Sequence, residues 1–316
     1  ARRGGALGAA PLAAGARGMT LEPRLPDPVA LAIPAFIVLV LLEIWVAKRQ
    51  RLSAYELRDT AASLAMGLGN LAVGLAAGAA AYVALNWVYQ FRVASLGYAW
   101  GSFVLILFAE DLTYYWFHRL SHRCRFWWAA HINHHSSQHY NLSTALRQTW
   151  TGGIFDWVLW LPLALIGFPP ALIIFQKGVS LVYQFWIHTE TVDRLPRAIE
   201  AVMNTPSHHR VHHATNPRYL DRNYAGIFII WDRLFGSFVA EVPDDPCRYG
   251  IVKNIGSFNP LRIALHEWVA IGRDLAAAKG WRERLVYLLG QPGRGFDGTR
   301  QTSDEIRAAW RVRRSW

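Results

Sequence analysis

Cysteine is scarce: Cys124 and Cys247 are the only two in 316 residues. Two thiols are far too few for a disulfide scaffold or a thiolate-held metal site. Charge is scarce too, at 17% against about 25% in ordinary soluble chains, while 53% of the residues are hydrophobic. The G-x-x-x-x-G-K-[ST] phosphate loop is absent, and so is the H-E-x-x-H of a zinc hydrolase. Nucleotide-binding folds therefore gain no support. What charge there is leans basic, with 33 Lys and Arg against 22 Asp and Glu, giving +11. That balance suits nucleic acid or an anionic membrane surface, and the apolar runs decide for the membrane. No nucleic-acid partner is expected.

The apolar runs predict an all-α integral membrane protein with about four to five membrane-embedded helices. A first span fits Val29 to Ala47, near the roughly 20 residues that cross hydrocarbon. Glu43 lies near its end, where a carboxylate reaches the interface. A second span covers Ala61 to Val83, rich in small residues that favour close helix packing. The third, Tyr98 to Phe117, contains Glu110 and Asp111 and leads straight into His118. The block from Ile154 to Ile187 is divided by Pro169 and Pro170 and reads as a hairpin of two short helices, with a shallow re-entrant pair as the alternative. Lys48, Arg49 and Arg51 place the end of the first span in the cytoplasm. Two more crossings bring Arg119, Arg123 and Arg125 to that side, and the hairpin returns His188 there. Residues 1–28 read as a disordered or interfacial tail, 29–268 as the catalytic domain and 269–316 as a cytosolic helical tail. Residues 225–240 read as interfacial or core-packed, and helices are expected near 261–278, over 281–289 and from about Ser303.

Histidine is concentrated: eleven of the 12 fall between His118 and His213. His118 and His122 are four apart, which on a helix gives one shared face. His131, His134 and His135 form H-x-x-H-H, in which adjacent His134 and His135 point different ways and suit two neighbouring ions. His209, His212 and His213 repeat that spacing. With His188 these make nine candidate ligands, more than one ion can use. A helical core uses histidines singly, and a solvated histidine tract is contiguous. Iron is preferred to zinc because the inert C–H bonds of a lipid need activated dioxygen. A non-catalytic metal-storage or transport protein is the competing class, although transport favours ionisable residues spread through several spans.

The boxes HRLSH (118–122), HINHH (131–135) and HRVHH (209–213) resemble those of the fatty acid hydroxylase and sterol desaturase superfamily of membrane di-iron oxygenases. HHSSQHYNLSTALRQ (134–148), QFWIHTE (184–190), NTPSHHRVHHATN (204–216) and NYAGIFIIWDRLFGSF (223–238) are similar to its alkylglycerol monooxygenase branch. The likeness runs from about Ala47 to Trp268. It implies two irons held by the eight box histidines and a further ligand at His188. Where some members carry one more histidine, a turn after His188, this chain has Val192. A water, His208 or an open position then completes that ion. Glu190 and Asn223 rank first as supporting catalytic residues near the metals, ahead of Asn141, Asp221 and Asp232. Glu110 and Asp111 either orient ligand imidazoles, act as caps or form a buried ion pair with Arg119. Trp127, Trp128 and Trp186 read as an interfacial belt, His139 as supporting or surface, His266 as structural. Arg123 stands where the branch has glutamate, which weakens transfer of its substrate or reductant.

The implied reaction is hydroxylation of a lipid C–H bond with dioxygen as co-substrate, at the ether-adjacent carbon of an alkylglycerol. The hemiacetal so formed collapses to an aldehyde and a glycerol derivative. Tetrahydropterin is the implied reductant, with a ferredoxin or a cytochrome b5-like protein as other external donors, since no such domain is visible in the chain. The alternative is a hydroxylase or desaturase of a sterol, hopanoid, carotenoid or fatty acyl chain.

Overall fold

The computed structural model describes residues 24–296 and 298–314, so most of the tail expected over 1–28 lies outside the described residues. Among these residues the fold is helical, with only two isolated bridges, Met203 to Phe228 and Ala214 to Tyr249. The first four helices are α1 (Pro28–Gln50), α2 (Leu57–Tyr89), α3 (Trp100–Arg123) and α4 (Arg125–His135). Next come α5 (Leu142–Ala145), α6 (Leu161–Ile166) and α7 (Pro170–Trp186). The short α8 (Arg197–Val202), α9 (Pro206–His213) and α10 (Ile230–Leu234) precede α11 (Pro260–Ala277), α12 (Trp281–Leu289) and α13 (Ser303–Arg314).

Asp27 starts α1 by accepting from the Val29 and Ala30 N–H groups at 2.9 and 3.2 Å, with Pro28 in the first turn where a missing donor is harmless. Arg51 ends it in the left-handed region at φ 57°. Both α1 and α2 are long and apolar enough to cross a membrane. Their apolar side chains point outward, with Leu31 at 69% and Leu75 at 73% exposure. In water such faces drive association; in lipid they need no partner. At 33 residues α2 measures roughly 50 Å, more than hydrocarbon requires, so its first turns extend into the polar half. The expected third span is likewise part of a longer helix. α3 continues unbroken past Phe117 to Arg123, which mounts the first histidine pair on an apolar stem.

The block after Ile154 departs from the expected hairpin of two matched limbs. The chain does turn before α7 at Pro169 and Pro170, but the first limb is a 3-10 turn over Asp156–Trp160 followed by the six-residue α6. Asp156–Ile166 rises only about 17 Å, well short of the hydrocarbon thickness. Leu163, Ala164, Phe168, Leu172 and Ile173 instead pack inward with Leu85 and Ile106.

α7 runs parallel to α1. Gly178 lies against Pro28, where a Cβ would come within 2.9 Å of the ring. Phe36 stacks on Phe185 at 3.9 Å. Glu43, expected at the lipid interface, is instead buried at 4% exposure. It accepts from Tyr55, Thr189 and the Leu142 N–H, tying the inner end of α1 to the segment after His188. α11 packs through Ile263 and Ala264 onto Ala62 and Met66 of α2. Buried Arg125 of α4 reaches Glu267 at 2.6 Å and Asp274 at 2.5 Å. One helix thus crosses residue 268, where the tail was expected to begin. Residues 225–232 are core-packed, with Ala225, Ile227 and Ile229 buried, whereas Leu234 further on is 69% exposed.

Candidate metal centre

The histidines meet where α3, α4, α9 and the end of α7 converge. Their ligand atoms form two groups, each within 4.8 Å: His118, His122, His131, His135 and His212 in one, and His134, His188, His209 and His213 in the other. Helical periodicity explains the division. Pairs four apart stay together (118 with 122, 131 with 135, 209 with 213), whereas the neighbours 134/135 and 212/213 diverge by about 100° and serve different groups.

The outer nitrogens fix the chemistry of the inner ones. Nδ1 of His118 donates to the Tyr224 carbonyl at 2.8 Å, that of His188 to Gln184 at 2.7 Å, that of His212 to Arg222 at 2.9 Å and that of His134 to Arg147 at 3.3 Å. A carbonyl only accepts, so in each neutral ring the proton sits on Nδ1 and Nε2 keeps its lone pair. His134 and His188 then face each other Nε2 to Nε2 at 3.1 Å with no hydrogen to share. Two bare acceptors at that distance repel unless a cation lies between or beside them. The donor set therefore fits a metal, and an all-imidazole set suits iron, zinc or copper. Burial, followed by neighbouring imidazoles, pushes His131, His135, His209, His212 and His213 well below the usual histidine range; burial takes His134 down to about 4. These six rings are neutral at physiological pH, the form in which imidazole binds a metal.

Carboxylates act one step further out. Asp111 accepts from the Ile227 and Phe228 N–H groups at 2.6 and 3.0 Å and from Trp231 at 2.8 Å. Gly226 allows this, because a Cβ there would meet Asp111 Oδ1 at 2.7 Å. Asp232 accepts from the Tyr224 and Ala225 N–H groups, both at 2.8 Å. Together they hold the loop whose Tyr224 carbonyl anchors His118.

The remaining expected residues are placed as follows. His208 belongs to neither group; its Nε2 lies 4.0 Å from Glu200. Glu190 is half-buried, also in neither group. Asn223 is buried at φ 54° and donates to the His208 and Val239 carbonyls at 3.0 and 2.8 Å, which makes it a loop brace. Asp221 approaches His122 Nδ1 at 3.5 Å. Asn141 caps α5. Glu110 accepts from Trp160 at 3.1 Å, while Arg119 donates to the Tyr115 hydroxyl at 2.8 Å and to neither acid of its helix. Trp128 packs with its ring tilted against His122 and His135, at 5.1 and 5.6 Å, so it lies beside the imidazoles. His139 bonds the Ser53 carbonyl at 3.2 Å and His266 that of Ile263 at 3.0 Å, both away from the groups.

Two arginines escaped the sequence reading. Buried Arg147, whose carbonyl receives His134, pairs with Asp59 at 3.1 Å. Arg210 donates to the Thr189, Val192 and Asp193 carbonyls at 3.1, 2.6 and 2.6 Å while pairing with Glu241 at 2.8 Å. It fixes the strand of chain that leaves His188. A lone cation in an apolar run (Arg147) or between ligands (Arg210) was the available signal.

Two cavities reach the imidazoles from opposite sides. The larger, about 470 Å³, extends from Val29, Phe36 and Gly74 on the membrane helices to His131, His134 and His188. The smaller, about 60 Å³, is lined by His122, His135 and His212 together with Pro292 and Ser303.

Comparison with known proteins follows the same outline. Residues 103–237 match the fatty acid hydroxylase family. The chain is 37% identical over 282 residues to alkylglycerol monooxygenase of Homo sapiens, covering 87% of this chain and 62% of that protein. It is 42% identical over 274 residues to alkylglycerol monooxygenase of Danio rerio, covering 85% and 60%. An ornithine lipid hydroxylase of Rhizobium tropici is 29% identical over 136 residues, 43% of this chain and 41% of that protein. The chain thus spans about three fifths of these two alkylglycerol monooxygenases. No solved structure matches it significantly.

Proposed function

We propose, for a chain that belongs through residues 103–237 to the fatty acid hydroxylase family, that it is a membrane oxygenase hydroxylating a lipid C–H bond beside two irons. The observation that carries the reading is that His131, His134 and His188 form one end of the apolar cavity that begins among the membrane helices. A lipid entering there meets an imidazole of each group. His118, His122, His131, His135 and His212 would hold one ion; His134, His188, His209 and His213 the other. When bound, iron supplies reductive activation of dioxygen: one oxygen atom enters the C–H bond, and the other leaves as water with two external electrons and two protons.

The protein's own part is positioning. The Nδ1 donations keep every anchored Nε2 aimed inward, and Asp111 and Asp232 hold the carbonyl that fixes His118. Phe36, Phe117 and Phe185 line the path with apolar surface and keep water from the reacting chain. The substrate proposed is an alkylglycerol, oxidised at the ether-adjacent carbon so that the hemiacetal falls apart to an aldehyde and a glycerol derivative. Tetrahydropterin is the proposed reductant, with a ferredoxin or cytochrome b5-like donor as the other source of electrons. The membrane-embedded helices number four to five, and the imidazoles face the cytoplasm. Lys48 and Arg49 at the end of α1 and Arg119 and Arg123 at the end of α3 support that orientation.

Aerobic incubation of the purified protein with alkylglycerols and each donor, read by lipid mass spectrometry, tests this. Aldehyde release supports the ether-lipid reading. An intact hydroxylated sterol or acyl chain moves the substrate to the other branch. A protein that retains zinc and no iron from an iron-supplied host overturns the oxygenase reading itself.

A further inference from the structure

The large cavity has a second end, and it is charged. One face of α7 lines the cavity with Lys177, Leu181, Gln184 and His188, residues three or four apart and therefore in one row. The eleven steps from Lys177 to His188 put them roughly 16 Å apart along the helix, the length of an extended chain of about a dozen methylenes. Between these ends the wall is mainly apolar or small, with Phe36, Gly74, Ala77 and Ala81, interrupted by a few uncharged polar groups such as Gln184 and Asn70. At the far end Asp156 joins Lys177 in the lining. Asp156 is 8% exposed, and its Oδ1 is buried without a partner. The Lys177 ammonium lies 3.9 Å over the Trp160 ring and forms no salt bridge among the described residues. Just behind, Glu110 receives the Trp160 N–H at 3.1 Å and keeps a second oxygen unpartnered. No metal ligand touches this cluster.

We propose that Asp156 and Lys177 form a polar floor that sets the longest chain the cavity accepts. The inference rests on the lipid-oxygenase reading and adds to it the residues that select chain length. Each methylene placed along the apolar wall strengthens binding roughly fourfold. A methyl end pressed onto the floor gains nothing comparable, because it seals a carboxylate and an ammonium further from water and gives neither a partner. Affinity therefore climbs with length and then falls once the chain end reaches Asp156 and Lys177.

The test uses the full chain in lipid nanodiscs with a graded series of saturated 1-O-alkylglycerols. Native mass spectrometry reads which lengths are retained, and aldehyde release reads turnover. Wild type is expected to show a sharp upper length limit. Lys177→Met, and Asp156→Asn combined with Lys177→Met, move that limit to longer chains, with about fourfold more retention per added methylene. Leu181→Phe, midway along the row, moves it to shorter chains and leaves the floor intact. An unchanged limit in the floor variants overturns the proposal, as does an unchanged limit in Leu181→Phe. Tighter retention of ω-hydroxylated chains than of plain chains of equal length also overturns it and makes the floor a site for a polar end. Retention without turnover on any lipid tested indicts the oxygenase reading, while the length profile still judges the floor.

Discussion

The five-imidazole group is assembled from helical repeats, whereas the four-imidazole group hangs on one residue outside any box. His118/His122 and His131/His135 are both i,i+4 pairs on α3 and α4, two helices joined at Cys124. A local sequence of 18 residues thus brings four donors together, and only His212 arrives from afar. The four-membered group needs His188 from the end of α7, His134 from α4 and the pair His209/His213 from α9. His209 and His213 share one face of α9, but His134 and His188 come from separate segments, and the chain around His188 is held by the Gln184 carbonyl and Arg210. One group has a donor to spare and the other has none, so they should tolerate damage differently.

The largest effect is expected from His209→Ala. It leaves three imidazoles in the smaller group, so iron should fall from about two per chain to about one, with turnover abolished. Metal analysis of the purified protein measures it. His122→Ala leaves four donors in the larger group, and both irons should stay while turnover drops about 10- to 100-fold, the usual scale for a disturbed coordination sphere. If the two variants lose iron equally, the contrast between the groups is wrong.

Arg210→Ala sharpens the comparison without touching a ligand. Removing this buried partner strands Glu241 and frees the chain after His188, which should lower stability by about 3 kcal/mol. Chemical denaturation measures it, and the ion held by His188 should be lost first on chelation. Arg210→Lys should recover little, since one ammonium does not replace a fork that spans three carbonyls and a carboxylate.

The smallest effect belongs to Asp304, which anchors α13 to Arg123 at 2.6 Å beside the larger group. Hydrogen bonding from Arg123 holds its carboxyl below the usual carboxylate range, with Gln291 and Arg307 adding to it. A carboxyl lowered on folding contributes stability above its unfolded value and loses it as pH falls toward the folded one. Asp304→Asn should therefore cost under about 1 kcal/mol at neutral pH, because the group is half exposed. The difference from wild type should vanish in strong acid, as a pH series of melting curves would reveal.

The comparison also separates what the sequence could disclose. Periodicity was enough to separate His134 and His135 into different imidazole groups and to read α12 and the start of α13 residue for residue. It failed for Glu43, because an acid near the end of an apolar run looks the same whether it meets water or a buried triad of donors. It also misjudged the block before Pro169: an apolar stretch of helix length became a 3-10 turn and a six-residue helix, since Phe168 and Leu163 were needed in the core. His208 was indistinguishable from its neighbour by type, and only the orientation of α9 turns it toward Glu200.

Glu43 carries one last implication. A helix that faces lipid on nearly every side is usually regarded as a tether, something to be clipped when a soluble enzyme is wanted. Here its inner end is bolted to Thr189, the residue next to His188. Clipping the tether would pull a bolt from the frame of the imidazole site, so a cut near residue 50 removes a support of the core along with the anchor.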